Sequence, residues 1–224
     1  MNVTSGHLQS TFVKLFNQAR EKFFGSFSQV GAEKLKRTTE DIANALENRR
    51  VIDIGDKIPV FELVNFDGVL LNICDELDKN HIVLSFYRGA WCPFCNLEIQ
   101  MLQSRIDEIR GLGANIVAIS PQSPDYSILF KARHHIQFPV LSDTGNEVAR
   151  LFGLEYDMPP EACDILQHEL GLDFTEYNAD SSEILPVPAT YVVARTGVVR
   201  HAFINPDYTQ RLDPDVIIEE LKKL

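Results

Sequence analysis

The sequence predicts an α/β sandwich built around a mixed β-sheet. Residues 82–87 form a nearly continuous apolar run, which is typical of a strand that is covered on both faces. Helical and strand patterns alternate after this run as far as residue 152. The chain then ends in a strand hairpin and a helix. Alternation followed by a hairpin predicts a mixed sheet flanked by helices.

Residues 1–50 predict a helical extension that is separate from the main domain at 51–224. Apolar residues recur every three or four positions, as in an amphipathic helix: Leu8, Phe12, Leu15, Ala19 and Phe23. Residues 25–31 break this pattern, and a second, weaker helix follows. The apolar stripes of both helices must be buried, either against the main domain or against a second copy of the chain.

The first half of the main domain starts with short strands and then alternates. Asp67-Gly68 is typical of a turn between two strands, the first of them at 59–63. Ser123 and Pro124 are favoured as the N-cap and first residue of a helix. The further predicted elements are a strand at 82–87, a helix at 93–110, a strand at 115–120, a helix from 123, a strand at 138–141 and a helix at 146–152.

Residues 154–186 are polar and acidic, and we interpret them as an insertion that contains a helix at 160–170 followed by a loop. A hairpin with the turn Thr196-Gly197 and a closing helix complete the chain. Their predicted elements lie at 190–194, 198–203 and 213–224.

The charge balance argues against a nucleic-acid binder. The 224 residues carry 21 Lys and Arg against 32 Asp and Glu, a net charge of −11 that repels phosphate. No stretch approaches the roughly 18–20 apolar residues of a membrane-spanning helix. The start of the chain lacks the pattern of a signal peptide. We therefore expect a cytoplasmic protein with neither a nucleic-acid nor a membrane partner.

Cys92 and Cys95 form a C-x-x-C motif where the predicted strand gives way to the helix at 93–110. Unpaired backbone N–H groups and the positive end of the helix dipole favour a thiolate there. The apolar stripe of this helix, extended back by four residues, reaches Cys95. We therefore expect Cys95 to face inward and Cys92 to sit at the exposed tip. On this geometry Cys92 is the attacking nucleophile and Cys95 closes the disulfide.

Half of a zinc site is an alternative interpretation of a C-x-x-C motif. A structural zinc ion needs four ligands, usually with a second pair at similar spacing. Cys74 and Cys163 stand alone, and the adjacent His134 and His135 lack a usual ligand spacing. We therefore favour redox chemistry, without a metal or a cofactor, over zinc and over two inert core cysteines. Cys74 fits a small buried hydrophobe, and Cys163 is a candidate distant resolving cysteine.

Three further residues are candidate supporting residues of the motif. Glu98, one helical turn beyond Cys95, fits either assisted proton transfer or a solvated helix position. Arg88 either stabilises a thiolate electrostatically or merely flanks the end of the strand. Pro188 directly precedes a predicted strand, where a proline often marks a plain strand entry.

Four segments carry a family resemblance, at 86–98, 117–121, 138–143 and 188–191. The longest reads Phe-Tyr-Arg-Gly-Ala-Trp-Cys-Pro-Phe-Cys-Asn-Leu-Glu. Together they resemble peroxiredoxin-like proteins of the alkyl hydroperoxide reductase/thiol-specific antioxidant (AhpC/TSA) group, over roughly residues 53–224. The resemblance implies a thioredoxin fold, thiol-based redox activity and a tendency to form homodimers.

The resemblance is incomplete at the motif itself. The peroxidatic cysteine of peroxiredoxins falls on Cys95, and their signature proline falls on Arg88. Their threonine or serine falls on Cys92, and the arginine that steadies their thiolate falls on Pro188. In thioredoxins the nucleophile is the first cysteine, which matches Cys92 behind a matching Trp91. Pro188 is similar to the cis-proline that faces their dithiol, so the site resembles a thioredoxin dithiol in a peroxiredoxin body.

These features predict a thiol-disulfide oxidoreductase with an antioxidant role in redox homeostasis. In this hypothesis Cys92 attacks a disulfide, Cys95 resolves the mixed disulfide, and a thiol such as thioredoxin or glutathione restores the dithiol. A second hypothesis is a thiol peroxidase, in which a thiolate, Cys95 by the peroxiredoxin register, attacks a hydroperoxide. A third is a redox-sensing interaction protein whose residues 1–50 bind a partner.

Overall fold

A computed structural model of the protein describes residues 5–47, 49–65, 67–178, 180 and 182–224. The helices are α1 (Ser5–Gly25), α2 (Gln29–Glu47), α3 (Ile73–Leu77), α4 (Pro93–Ser104), α5 (Ile106–Gly111), α6 (Pro124–His134), α7 (Glu147–Leu151), α8 (Pro160–Leu170), α9 (Phe174–Asn178) and α10 (Pro214–Leu221). The strands are β1 (Glu62–Val64), β2 (Leu70–Asn72), β3 (His81–Phe86), β4 (Ala114–Ser120), β5 (Val140–Ser142), β6 (Glu155–Asp157), β7 (Ile184–Pro186), β8 (Ala189–Val193) and β9 (Val199–Ile204).

The central sheet has the strand order β5-β4-β3-β8-β9. The strands β3, β4 and β5 are parallel, whereas β8 pairs antiparallel with β3 and β9 pairs antiparallel with β8. Every residue of β8, and every residue of β3 except His81, is buried, as expected for strands that are covered on both faces. The predicted mixed sheet flanked by helices is confirmed.

The structure differs from the sequence prediction in the helix after the motif and in the insertion. The predicted helix at 93–110 divides into α4 and α5, because Arg105 leaves the helical region with φ −111° and ψ 11°. Its guanidinium pairs there with Asp215 on α10. The insertion contains α8 as predicted, but β6 and β7 flank that helix and pair with each other. This pairing brings the two ends of the insertion together just before β8.

The sequence left open whether the apolar stripe of the first helix is buried against the main domain or against a second copy of the chain. Helix α1 packs against the main domain. The Phe23 ring meets the ring of Phe94 on α4, with the two centroids 5.3 Å apart. Phe16 is buried, whereas Leu15, which we predicted in the apolar stripe, is 37% exposed. Phe12, Ala19 and Phe23 of the predicted stripe are buried or half-buried, so among its described side chains only Leu15 departs from the prediction. The side chain of Leu8 lies outside the described part of the chain.

Helix α2 covers the insertion. It begins at Gln29, so that Gly31 lies within the helix and not in the break predicted at 25–31. Leu35 is buried, and Lys34 pairs with Glu161 on α8. No helix in the described ranges is both long and apolar enough to cross a membrane. The division of the chain into 1–50 and 51–224 stays a prediction.

Replacing Phe23 by Ala should destabilise the protein, because the ring is buried against Phe94 beside the C-x-x-C motif. We expect the free energy of unfolding to fall by roughly 3 kcal/mol, as for truncation of other buried aromatic residues. Denaturant-induced unfolding measures the change. Val13→Ala, at an exposed position of α1, is the matched control and should change the same quantity by less than about 0.5 kcal/mol. Equal effects of the two substitutions would show that α1 is not docked.

Candidate active site

The C-x-x-C motif lies in the first turn of α4, directly after the loop that leaves β3. Cys92 is the N-cap residue and Pro93 is the first helical residue, where the missing N–H of proline costs nothing. Gly89 in the loop has φ +139°, which a residue with a side chain rarely adopts. A Cβ at this position would lie 2.7 Å from Trp91 Nε1. The loop can therefore fold back against Trp91 because this position is a glycine.

Both cysteines are buried, Cys92 with 1% and Cys95 with 0% exposure. The inward orientation of Cys95 is confirmed, but the prediction that Cys92 sits at an exposed tip is wrong. The physical reason is that three distant parts of the chain, α1, the insertion and the segment before α10, pack over this end of α4. Their ring contacts, with centroids 5.0–6.1 Å apart, are Phe23 with Phe94, Phe174 with Trp91 and Tyr208 with Phe94.

Hydrogen-bond donors converge on the sulfur of Cys95. Arg211 Nη2 donates to Cys95 Sγ at 3.2 Å, and the backbone N–H of Arg88 donates to the same atom at 3.4 Å. One donor is charged and the other belongs to the backbone, and both favour a thiolate over a thiol. These two donors oppose the effect of burial, which disfavours a negative charge on Cys95.

Arg211 and Glu98 form a buried ion pair beside this sulfur. Arg211 Nε lies 2.6 Å from Glu98 Oε2, and the two side chains are 1% and 4% exposed. The Thr190 hydroxyl donates to Glu98 Oε1 at 2.8 Å. The alternative of a solvated helix position for Glu98 is therefore wrong. Burial raises the pKa of Glu98 to about 7, although the charge of Arg211 opposes this shift.

Arg211 is the site residue that sequence reasoning missed. It lies between β9 and α10, 116 residues from Cys95 along the chain, and no local pattern marks it. The one indication of a buried cation in the sequence was Glu98. This residue directly precedes Ile99, the first residue of the apolar stripe of α4. A carboxylate at such a position needs a buried cationic partner. The sequence does not say which of its 21 basic residues supplies this partner.

Arg88 is buried on the Cys92 side of the motif. Its guanidinium lies between two rings, 4.6 Å from the centroid of Trp91 and 4.2 Å from that of Tyr208. Contacts of a cation with ring faces stabilise the charge away from water. Arg88 Nη2 also contacts Met158 Sδ at 3.9 Å. This burial favours the electrostatic role of Arg88 over that of a residue that merely flanks the strand.

The two thiols titrate as a pair. Burial raises the pKa of Cys92, but the hydrogen bond from the Cys95 thiol and the charges of Arg88 and Arg211 outweigh burial and lower this pKa to about 6. Burial and the neighbouring Cys92 sulfur raise the pKa of Cys95 well above its usual range. One proton is therefore lost near neutral pH, and the remaining proton is shared between two adjacent sulfurs. The groups that face the pair also include three buried tyrosines: Tyr87, Tyr156 and Tyr208.

Pro188 does not have the cis peptide bond that its resemblance to the thioredoxin proline implied. Among the residues that the structure describes, every peptide bond is trans. The chain runs extended from β7 into β8 at this point, and the Val187 N–H donates to the Leu154 carbonyl at 2.7 Å. A residue before a proline favours this extended conformation. Pro188 therefore enters β8 through a trans peptide bond, and its place in the thiol chemistry stays a prediction.

The two other cysteines have separate environments. Cys74 is exposed, so the prediction of a buried hydrophobe is wrong. Ile73 and Leu77 take the inner face of α3 and leave Cys74 on the outer one. Cys163 is buried in α8, and burial raises the pKa of its thiol to about 12. In the described ranges no three His, Cys, Asp or Glu side chains converge on a position where a metal ion could bind.

Comparison with known proteins places this geometry in a family. Residues 54–202 match the model of the AhpC/TSA family. The chain belongs to the AhpC/TSA family. Helices α1 and α2, the residues after 202 and therefore Arg211 lie outside the match.

Individual relatives of this AhpC/TSA protein are peroxiredoxins. Peroxiredoxin Bcp of Escherichia coli K12 is 29% identical over 100 residues, which are 45% of this chain and 64% of that protein. Chloroplastic peroxiredoxin Q of Populus jackii is 24% identical over 173 residues, 77% of this chain and 68% of that protein. The chain thus spans less than two thirds of the length of the E. coli relative and of similar mycobacterial proteins.

A solved structure confirms the fold that the resemblance implied. Peroxidoxin BcpB from Mycobacterium tuberculosis superimposes with a TM-score of 0.60 at 20% identity, over 77% of this chain and 98% of that one. The AhpC/TSA domain therefore has the thioredoxin fold, with the C-x-x-C motif at the start of the helix that follows β3.

Reduced protein should lose one thiol proton near pH 6, because the charges of Arg88 and Arg211 stabilise the anion of the cysteine pair. The thiolate absorbance at 240 nm should rise with this midpoint, against roughly 8.5 for an ordinary cysteine. Cys74→Ser should leave the step unchanged, and the Cys92→Ser/Cys95→Ser double variant should abolish it. A step that persists in the double variant, or one that starts only above pH 8, would contradict the assignment.

The high pKa of Glu98 predicts a pH-dependent contribution to stability. The pKa of Glu98 is about 7 in the fold, against an ordinary value of 4.5. The folded state thus binds more protons between these values, and stability is lost as the pH rises from 4.5 through 7. Glu98→Gln has no titrating group at this position and should not show this loss. Its free energy of unfolding, relative to that of the wild type, should therefore rise by about 3 kcal/mol between pH 4.5 and pH 7. Denaturant unfolding at several pH values measures the gain. Glu219→Gln, on the surface of α10, is the control and should show the same pH dependence of unfolding as the wild type. If Glu98→Gln also showed the wild-type pH dependence, the assignment would be incorrect.

Proposed function

We propose that this protein is a thiol-dependent peroxidase in which Cys95 attacks a hydroperoxide. The observation that carries the proposal is the convergence of Arg211 Nη2 and the Arg88 N–H on Cys95 Sγ. A nucleophilic sulfur needs its thiolate form, and a fixed guanidinium beside a buried sulfur stabilises that form. The position of Cys95 in the peroxiredoxin register and the family of the chain support the same assignment.

The proposed reaction has two steps at the two cysteines. The cysteine pair holds one proton near neutral pH, and Cys95 reacts from the form in which Cys92 holds that proton. The Cys95 thiolate attacks the distal oxygen of the hydroperoxide, the O–O bond breaks, and the leaving alkoxide takes a proton from the solvent and departs as an alcohol. Cys95 is thereby oxidised to a sulfenic acid. The Cys92 sulfur then attacks the sulfenic sulfur, a Cys92–Cys95 disulfide forms, and water leaves. The two residues lie in one helical turn, so the second step needs no distant cysteine.

Arg211 and Glu98 are proposed to act as one unit in the first step. The Glu98 carboxylate holds Arg211 Nε at 2.6 Å, which leaves Arg211 Nη2 directed at the sulfur. Donors that are fixed before the reaction cost no reorganisation when charge moves from the sulfur to the peroxide oxygen. The arginine that peroxiredoxins place at the position of Pro188 is thus replaced from another part of the chain.

Dithiol-disulfide exchange is the second candidate, and the pKa of about 6 for Cys92 supports it. In this reaction the Cys92 thiolate attacks a disulfide of the substrate, and Cys95 displaces the reduced substrate from the mixed disulfide. Both reactions end in the same Cys92–Cys95 disulfide. An external thiol, of the thioredoxin or glutathione type, is proposed to reduce it in an antioxidant role. A homodimer and a cytoplasmic location stay predictions.

Single-turnover oxidation of the reduced protein separates the two candidates. Hydrogen peroxide and a small aromatic disulfide are mixed with the protein in separate experiments, and the fluorescence of Trp91 reports oxidation. We expect a fast reaction with peroxide that survives Cys92→Ser and is lost in Cys95→Ser. Cys74→Ser is the control and should react like the wild type.

Two results would contradict the peroxidase proposal. A slow peroxide reaction, together with fast disulfide exchange that is lost in Cys92→Ser, would make the protein a dithiol oxidoreductase. Reaction with neither oxidant would contradict both enzymatic candidates and leave the redox-sensing hypothesis. Mass spectrometry of the Cys92→Ser protein after peroxide should find a sulfenic acid at Cys95, which disulfide exchange does not produce.

A further inference from the structure

The segment between β9 and α10 supplies two of the groups that surround the cysteine pair. Arg211 contacts Cys95, and the ring of Tyr208 lies 4.2 Å from the guanidinium carbon of Arg88. This segment lies outside the residues that match the AhpC/TSA model, and so does α1. The thiolate site therefore depends on parts of the chain that the family match does not cover.

The segment is a turn whose conformation is set by Asp207. One carboxylate oxygen, Asp207 Oδ1, accepts hydrogen bonds from the backbone N–H and the hydroxyl of Thr209, at 3.0 and 2.6 Å. The Gln210 N–H donates to the Asp207 carbonyl at 2.8 Å. Arg211 Nη1 in turn donates to the carbonyls of Tyr208 and Gln210. A displacement of the turn would therefore move the guanidinium away from the sulfur.

Helix α1 holds this turn from outside at two points. Arg20 Nη2 donates to the second carboxylate oxygen, Asp207 Oδ2, at 3.0 Å. One helical turn later, the Phe23 ring meets the Tyr208 ring edge-on with centroids 6.5 Å apart. The Arg20 side chain is 42% exposed, so its ion pair adds little to the stability of the whole fold. Because the ion pair fixes Arg20 of α1 to Asp207 of the turn, it can affect the conformation of the turn.

We propose that Arg20 is a positioning residue for the thiolate site: its ion pair with Asp207 keeps the 207–210 turn in the conformation that presents Arg211 to Cys95. The inference rests on the proposed function, since it concerns the same sulfur. In this proposal the N-terminal extension helps to position Arg211 at the sulfur, in addition to burying the motif through Phe23. The chain of contacts runs from Arg20 through Asp207 and the turn carbonyls to Arg211.

The test is the thiolate titration at 240 nm together with the rate of oxidation by hydrogen peroxide. Arg20→Gln should raise the midpoint of the thiol step by about 0.5 and slow oxidation at pH 6 about twofold, as expected for loss of one partly exposed ion pair. Arg20→Lys keeps a charge that can reach Asp207 and should restore most of both quantities. Lys22→Gln removes the same charge from the same helix without this contact, and should leave both unchanged.

A second variant separates positioning from a direct effect of the Arg20 charge. Asp207→Asn keeps an oxygen that can accept from Thr209 but loses the negative charge that attracts Arg20. If positioning is correct, Asp207→Asn raises the midpoint like Arg20→Gln, and the double variant goes no further than either one. A direct field effect predicts instead that Asp207→Asn lowers the midpoint, because an anion near the thiols is removed. That result, or an Arg20→Gln midpoint equal to that of Lys22→Gln, would overturn the inference.

The titration needs no turnover, so the two proposals can fail separately. If the wild type reacts with peroxide but Arg20→Gln leaves the midpoint and the rate unchanged, the positioning role is wrong and the peroxidase stands. If the wild type reacts with no oxidant but Arg20→Gln still shifts the midpoint, the peroxidase is wrong and the positioning role stands. Thermal unfolding of each variant shows that the comparison is made between folded proteins.

Discussion

The contact between Glu98 and Arg211 is the constraint on which the rest of the site depends. Two charges away from water are stable only when each is fully engaged by neighbouring groups. Glu98 contacts Arg211 and accepts from Thr190 on β8, and Arg211 also contacts Cys95 and the carbonyls of its own segment. Helix α4, the central sheet and the segment before α10 must therefore meet at one point, and that point lies beside the sulfur of Cys95.

Two cations lie beside the cysteine pair although the whole protein is acidic. The chain carries a net charge of −11, yet the charged groups nearest the two sulfurs include two buried arginines. Enclosure by rings from α1, the insertion and the turn raises the energy of any anion there, while Arg88 and Arg211 lower it. A buried anion is favoured at this site because two cations accompany the rings that cover it.

The local half of the site could be predicted from the sequence, and the distant half could not. The strand β3, the start of α4 and the inward orientation of Cys95 follow from contiguous apolar patterns, which report which face of an element is buried. The burial of Cys92 depends on Phe23, Phe174 and Tyr208, and no local pattern states which surfaces meet. Arg211 was missed for the same reason. The error at Cys74 has another cause, since a five-residue helix is too short to show an apolar period.

The burial of both sulfurs affects how an oxidised Cys92–Cys95 pair can be reduced again. A hydroperoxide is small, and it needs only a narrow path to one sulfur. A protein reductant must instead form a mixed disulfide with Cys92 or Cys95, and its own cysteine cannot reach a sulfur beneath Trp91, Phe94 and Tyr208. Reduction of the disulfide by a protein partner therefore requires local opening of the α4 N-terminus. The same rings that bury the two sulfurs would then limit the rate of that reduction.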